Sequence, residues 1–179
     1  MPDWLPPRIS RAKLLTATES YNKGLQALGE LLEQNWNRED LAIIHLEKGN
    51  INLAIHDYPN ARADFEKTLE LDPENEEACL ALSRTFYNMG ELEEAIRLLD
   101  KVIVRSPDDE DLIGERCFLL AEQGDHYRDE GAQQKANKYY RRALEGCNRL
   151  IELDPDVLDP YLNRARLFHA MGKGNKCIE

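Results

Sequence analysis

Apolar residues recur along this chain at spacings of three and four, the repeat of one face of an α-helix, and glycine or proline interrupts them at regular intervals. Cys79, Leu82, Ser83 and Phe86 form one such stripe, which Asn88-Met89-Gly90 ends. Ala95, Leu99, Val102 and Ile103 form a second, and Pro107 stops it. Ala132, Ala136, Tyr139, Ala143, Cys147 and Leu150 keep a 4-3-4-4-3 spacing. Near the start, Leu14, Tyr21, Leu25, Leu28 and Leu32 lie seven, four, three and four apart. That pattern predicts one amphipathic helix over 9–36, after an irregular tail at 1–8, covering the open side of the first helical pair.

The stripes belong to a repeat. Asp72-Pro73, Ser106-Pro107 and Asp154-Pro155 each follow an apolar stretch and precede acidic residues. Pro73 and Pro107 are 34 residues apart, and Pro107 and Pro155 are 48 apart, one period plus 14. A 34-residue period with a terminal proline predicts paired helices. With its small residues where two helices touch, the stretch 76–109 resembles the tetratricopeptide repeat. The preceding stretch, 42–75, is similar through Gly49-Asn50, His56-Asp57-Tyr58, Ala61, Phe65 and Pro73. It departs at His45 and Asn52, where the family has large apolar side chains. If buried, those two need hydrogen-bond partners.

A third unit spans 110–157, with Leu120 and Gly124 in its first helix and Ala143, Cys147, Leu150 and Ile151 in its second. Its 14 extra residues admit two arrangements. Both helices gain about two turns each, meeting near Glu130-Gly131, or residues 125–131 form a charged loop. The first is preferred, and it makes Gly124 an interior glycine at a cost of ~1 kcal/mol against alanine. A fourth unit, 158–179, opens with Asp159 as cap and Pro160 in the first turn, then Tyr161, Arg164, Ala165, Phe168 and Gly172. The N-terminal stretch has a competing reading as a degenerate repeat. Leu14, Ala27 and Leu31 fit that reading; Arg11 and Thr18 do not. The resemblance covers about residues 42–172.

The resemblance implies an all-α, right-handed solenoid of helical hairpins, one domain, with the third hairpin lengthened. It also implies that one side of each first helix faces a partner. Those positions are Ile43, Leu46, Asn50 and Leu53; then Glu77, Leu80, Arg84, Tyr87 and Asn88; then Asp111, Phe118 and Glu122; then Asp159, Leu162, Arg166 and His169. Packing against neighbouring helices is the competing role for Leu46, Leu80 and Phe118. Some family members grip the C-terminal carboxylate of heat-shock chaperones with a Lys, Asn, Asn, Lys, Arg clamp. The corresponding positions here hold Leu46, Asn50, Ala81, Asp111 and Glu115. At ~4 Å and an effective dielectric near ~20, each like-charge contact costs up to ~4 kcal/mol, so this chain is not expected to hold a chaperone C-terminus. Glu77, Asp111 and Asp159 instead form a candidate acidic ladder for a basic or mixed-charge peptide. Acids near helix N-termini are also favoured by the helix dipole alone.

Composition agrees with a protein-binding module. The 179 residues are 42% hydrophobic and 32% charged, with a net charge of −11. That balance disfavours nucleic acid. The one basic stretch, Lys135, Lys138, Arg141, Arg142 and Arg149 with Tyr139 and Tyr140, reads as a solvated helix face. The longest apolar run, 117–121, is far short of the ~18 residues that span a bilayer. No secretory signal is predicted, and a cytoplasmic location is expected. Cys79, Cys117, Cys147 and Cys177 lie 38, 30 and 30 residues apart with no CxxC, which suggests neither zinc nor a disulfide framework. They read as small packing thiols, except Cys177 in the incomplete last unit. The final four residues, 176–179, are not a prenylation signal. No catalytic, cofactor or metal motif stands out; His45, His56, His126 and His169 are scattered. The expected function is non-enzymatic binding of a peptide or partner domain. The alternatives are a homodimer through the C-terminal face, where Leu162, Ala165, Phe168 and Met171 lack a covering helix, or the repeat part of a longer protein.

Overall fold

The computed structural model describes residues 5–17 and 20–172. Expectations for Thr18, Cys177 and 176–179 lie outside the described residues. Contacts divide the chain into two compact units, Met1–Gly90 and Glu91–Glu179. The boundary falls inside the repeat expected over 76–109, so its two helices belong to different units and the single expected domain is described as two.

The first unit holds α1 (Leu5–Ala17), α2 (Tyr21–Leu32), α3 (Arg38–Ala54), α4 (Tyr58–Leu71) and α5 (Glu76–Asn88). Each helix packs on the next, and α3 also meets α1 and α5. The second unit holds α6 (Leu92–Ile103), α7 (Glu110–Asp129), α8 (Gln133–Leu153) and α9 (Asp159–Ala170), again packed in sequence. There is no strand among the described residues.

The single N-terminal helix expected over 9–36 is instead two, and residues 5–8 of the expected tail are helical. Burial explains the break. Leu5, Ile9 and Ala12 of α1 and Leu28 and Leu31 of α2 share one core with Ile44 and Ile51 of α3. An unbroken helix rises 1.5 Å per residue and would carry the two sets roughly 30 Å apart. Folding back brings both onto α3, the arrangement of the competing degenerate-repeat reading. Leu31 is buried as that reading needs, but Leu14 is exposed. At the end of α2 the Trp36 indole N–H donates to the Leu31 carbonyl at 2.7 Å.

Helix ends follow local chemistry. Asn37, Asp57, Asn75 and Asp109 cap α3, α4, α5 and α7, each accepting from a backbone N–H three residues on. Asp159 is not the cap expected of it. It is the first residue of α9, and Leu158 stands at the cap position without a side-chain bond. Gly90, Gly131 and Gly172 end α5, α7 and α9 in the left-handed region, at φ 78°, 77° and 71°. After α3 that position is His56, at φ 62°, whose Nδ1 lies 2.9 Å from the Tyr58 hydroxyl. Between the start of α3 and the end of α4, Arg38 donates to the Leu71 and Glu70 carbonyls, at 2.6 and 2.7 Å.

The two departures from the family pattern in 42–75 meet at one buried carboxylate. Asp64 of α4 contacts His45 Nδ1 at 3.0 Å and accepts from Lys48 Nζ at 3.1 Å and from Asn52 Nδ2 at 2.9 Å. All three donor positions lie on α3. Residues 110–153 form two long helices joined at Gly131, so the surplus length lies in both of them. Gly124 is buried against the Tyr140 ring. A Cβ there would come 2.4 Å from Tyr140 Cε1. Gly49 receives the Phe65 ring in the same way, at 2.6 Å, with the same separation in sequence.

Stability measurements test these contacts. In urea titrations, Gly124→Ala lowers stability by about 1–3 kcal/mol through overpacking, despite alanine's higher helix propensity. Gly114→Ala, also within α7 but with open space around it, raises stability by up to ~1 kcal/mol. Asp64→Ala leaves Lys48, His45 and Asn52 without their shared acceptor and costs about 3 kcal/mol. A loss below about 0.5 kcal/mol would show that water replaces it.

Candidate functional site

In the first unit the expected partner-facing residues divide. Ile43 and Tyr87 are exposed, as are Glu77, Arg84 and Asn88. Asn50, Leu53 and Leu80 are half-buried, and Asn50 Nδ2 donates to Glu77 Oε1 at 3.3 Å. Leu46 is only 7% exposed and is not available to a partner. The reason is crowding: α1, α2, α4 and α5 all pack against α3. Lys13 of α1 reaches over to pair with Glu47 at 2.6 Å. This contact and burial act on the Lys13 amine in opposite directions, and the Glu47 hydrogen bond wins, raising its pKa above the ordinary lysine value.

In the second unit the expected residues gather on α7 and α9. Phe118 is 42% exposed and Leu162 56%, and Asp111, Asp159, Arg166 and His169 are exposed beside them. Asp111 and Asp159 line one cleft of about 280 Å³ with Glu110, Asp154 and Asn163. No basic side chain among the described residues pairs with Glu110, Asp111 or Asp159. Two rungs of the expected acidic ladder therefore share a cleft. Glu77 belongs to the first unit, where it bonds Asn50.

Arg166 is compensated. It donates to Asp125 at 2.7 Å and lies 3.7 Å from Glu122. Asp125 also pairs with Arg128 at 2.6 Å and accepts from the Tyr140 hydroxyl at 2.6 Å. Burial, followed by this bond to a carboxylate, pushes the Tyr140 phenol above its ordinary value. Asp125 was absent from the expected site because it lies in the stretch the spacing left open between helix and loop. Asn163 and Asp154 were missed as cleft residues too; Asp154 reads in the sequence only as the end of a repeat, and Asn163 as a helix-surface amide.

The basic stretch of α8 is largely occupied. Arg142 pairs with Asp100 at 2.6 Å, and Arg149 with Asp108 and with Glu152. Tyr139 stacks on Tyr127, with ring centroids 5.4 Å apart, and Lys135 lies 5.1 Å over the Tyr127 ring. Among the described residues, no group of three or more His, Cys, Asp or Glu could hold a metal ion. No described helix is long and apolar enough to cross a membrane.

A family model described as "Tetratricopeptide repeat" matches residues 52–114, the region where the hairpin period is most regular. Over that stretch the chain carries tetratricopeptide repeats. It is similar to Superkiller protein 3 of Saccharomyces cerevisiae, 31% identical over 85 residues, 48% of this chain and 5% of that protein. It is also similar to TPR repeat-containing protein MJ1428 of Methanocaldococcus jannaschii, 24% identical over 139 residues, 76% of this chain and 23% of the other. The chain thus spans less than a quarter of the length of either curated relative. Among solved structures it resembles YrrB, described as "a TPR protein with an unusual peptide-binding site". The TM-score is 0.71 at 19% identity, over 98% of this chain and 81% of that one. That likeness shows the fold alone, an all-α solenoid of helical hairpins.

A double-mutant cycle tests the Asp125 junction. Asp125→Ala and Tyr140→Phe are expected to show a coupling of about 1 kcal/mol in chemical denaturation. Strict additivity would mean that the hydroxyl and the carboxylate act separately.

Proposed function

We propose that this chain is a non-enzymatic protein-interaction module whose second unit holds a basic or mixed-charge peptide segment against α7 and α9. The observation that carries this is the cleft between them. Its carboxylates Glu110, Asp111 and Asp159 have no cationic partner among the described residues, and exposed Phe118 and Leu162 lie on the same two helices. A lysine or arginine of the partner suits the cleft, and an apolar side chain suits the Phe118–Leu162 surface. Asn163, in the cleft lining, offers an amide to a peptide backbone. The solved relative described as having a peptide-binding site supports the class of ligand. The same carboxylates disfavour an acidic C-terminus of the chaperone type, since Asp111 stands where that clamp needs a cation. Exposed Ile43, Tyr87 and Arg84 form the corresponding surface of the first unit.

The test is selection of peptides from a random display library on the full chain, followed by titration of the enriched sequences. Enriched peptides should carry lysine or arginine near an apolar residue, and their binding should weaken as salt rises. Asp111→Asn with Asp159→Asn, and separately Phe118→Ala, should each weaken binding about tenfold or more, about 1.4 kcal/mol. Binding indifferent to all three substitutions would remove this face from consideration.

A second reading is self-association through α9, favoured by the exposure of Leu158 and Leu162 at 65% and 56%. Light scattering over a concentration series separates the two. A dimer broken by Leu162→Glu supports self-association, and a monomer throughout leaves the peptide surface.

A further inference from the structure

The two buried thiols of the second unit do not line the acidic cleft. Cys117 lies on α7 and Cys147 on α8, only 6% and 1% exposed, and both are free thiols. The helices approach closely at this level. A Cβ on Gly146 would come 2.1 Å from Cys117 Sγ, which itself lies 3.5 Å from the Ala143 carbonyl. Both cysteines line one pocket of about 50 Å³, together with Phe118, Asn163, Arg166 and Leu167. That space admits a molecule little larger than water. Small size alone explains a cysteine at a helix contact, since alanine and glycine serve the same contact at 143 and 146. It does not explain two thiols side by side at one pocket.

We propose that Cys117 and Cys147 are a redox pair that closes to a reversible disulfide across the α7–α8 hairpin, with a small hydroperoxide entering this pocket as oxidant. Each thiol perturbs the acidity of the other. The neighbouring Cys117 thiol lowers the Cys147 pKa against the effect of burial, with the Arg164 charge of α9 adding to it. The neighbouring Cys147 sulfur, and burial, push the Cys117 thiol upward. Cys147 is therefore the attacking sulfur. Its thiolate takes one oxygen of hydrogen peroxide, the O–O bond breaks, and the departing hydroxide gains a proton as water. This leaves a sulfenic acid on Cys147. Cys117 then loses its proton and attacks that sulfur. The S–O bond breaks, and the leaving hydroxide takes the proton as a second water. Two thiols lose two electrons, and the peroxide gains them. A dithiol reductant reverses the reaction by exchange.

The experiment treats the folded full chain with hydrogen peroxide, then alkylates it under denaturing conditions and maps the cysteines by mass spectrometry. The expected result is a loss of two hydrogen atoms in the intact mass and a linked Cys117–Cys147 peptide pair. Only two of the chain's four cysteines remain open to alkylation, and dithiothreitol restores all of them. Full alkylation after peroxide, pairing through Cys79 or Cys177, or a link that forms only in urea overturns the proposal. Cys117→Ser gives an independent reading, with its folding checked by circular dichroism. Without its partner, Cys147 should accumulate as a sulfenic acid trapped by dimedone, and a Cys147 that stays a thiol in that folded variant also overturns it. If Cys117→Ser does not fold, the mapping of the native chain decides alone.

Discussion

Paired helices in this protein approach until a residue without a Cβ lies against a side chain of the other helix. Gly49 receives Phe65, Gly124 receives Tyr140, and Gly146 receives Cys117. Close packing of this kind sets the distance between helices, and an added methyl has nowhere to go. It also explains how the third hairpin lengthens without losing its pairing. Cys117 and Gly124 are seven residues apart on α7, and Tyr140 and Cys147 are seven apart on α8. Seven residues are close to two turns, so each step returns to the same face. The lengthened pair thus holds two contact layers, one with a glycine against a ring and one with sulfur against a glycine. Beside the Gly124 layer, Asp125 accepts from Tyr140 and reaches Arg166 of α9.

In each unit a carboxylate gathers several polar donors from neighbouring helices. Asp64 collects His45, Lys48 and Asn52 from α3. Asp125 collects Arg128, Tyr140 and Arg166 from its own helix, from α8 and from α9. Neither arrangement is a strong source of net stability, because desolvation offsets much of the attraction. Their effect is directional. A carboxylate with several donors admits few alternative registers between its helices, whereas an all-apolar contact tolerates sliding. At Asp125 the same junction neutralises Arg166, which lines a pocket with Phe118. The carboxylates of the neighbouring cleft are left as the uncompensated charge of that surface. Their sign follows the whole chain, whose net charge is −11. Asp111 and Asp159 also sit in first turns of helices, where the dipole favours them. A role in helix stability and a role in binding cation-bearing segments are compatible, since the dipole leaves the charge available to a cation.

Much of this was legible in the residues. The 34-residue proline spacing located the helices of the central repeats, and the 4-3-4-4-3 stripe of α8 pointed to a helix there. His45 and Asn52 were legible as problems in need of partners, although nothing in the spacing named Asp64 as the answer. The N-terminal stretch was misjudged because its apolar residues keep one helical phase on both sides of the break. Periodicity reports which face is apolar, and it does not report whether the chain turns back. Leu46 was misassigned for a related reason. Its place on α3 is open only if nothing packs beside it, and the α1–α2 hairpin that crowds α3 belongs to the competing degenerate-repeat reading.

The order of residues by itself determined the repeat, the helical class and the acidic character of the chain. Each depends on spacing or composition, which the sequence carries directly. Tertiary structure decided which leucines are buried, which of the expected rungs share a cleft, and that Arg166 is already held by Asp125 and Glu122. It also decided that Cys117 and Cys147, 30 residues apart in sequence, face one pocket. Those facts depend on distances between helices, and such distances follow from how side chains interlock rather than from any period along the chain.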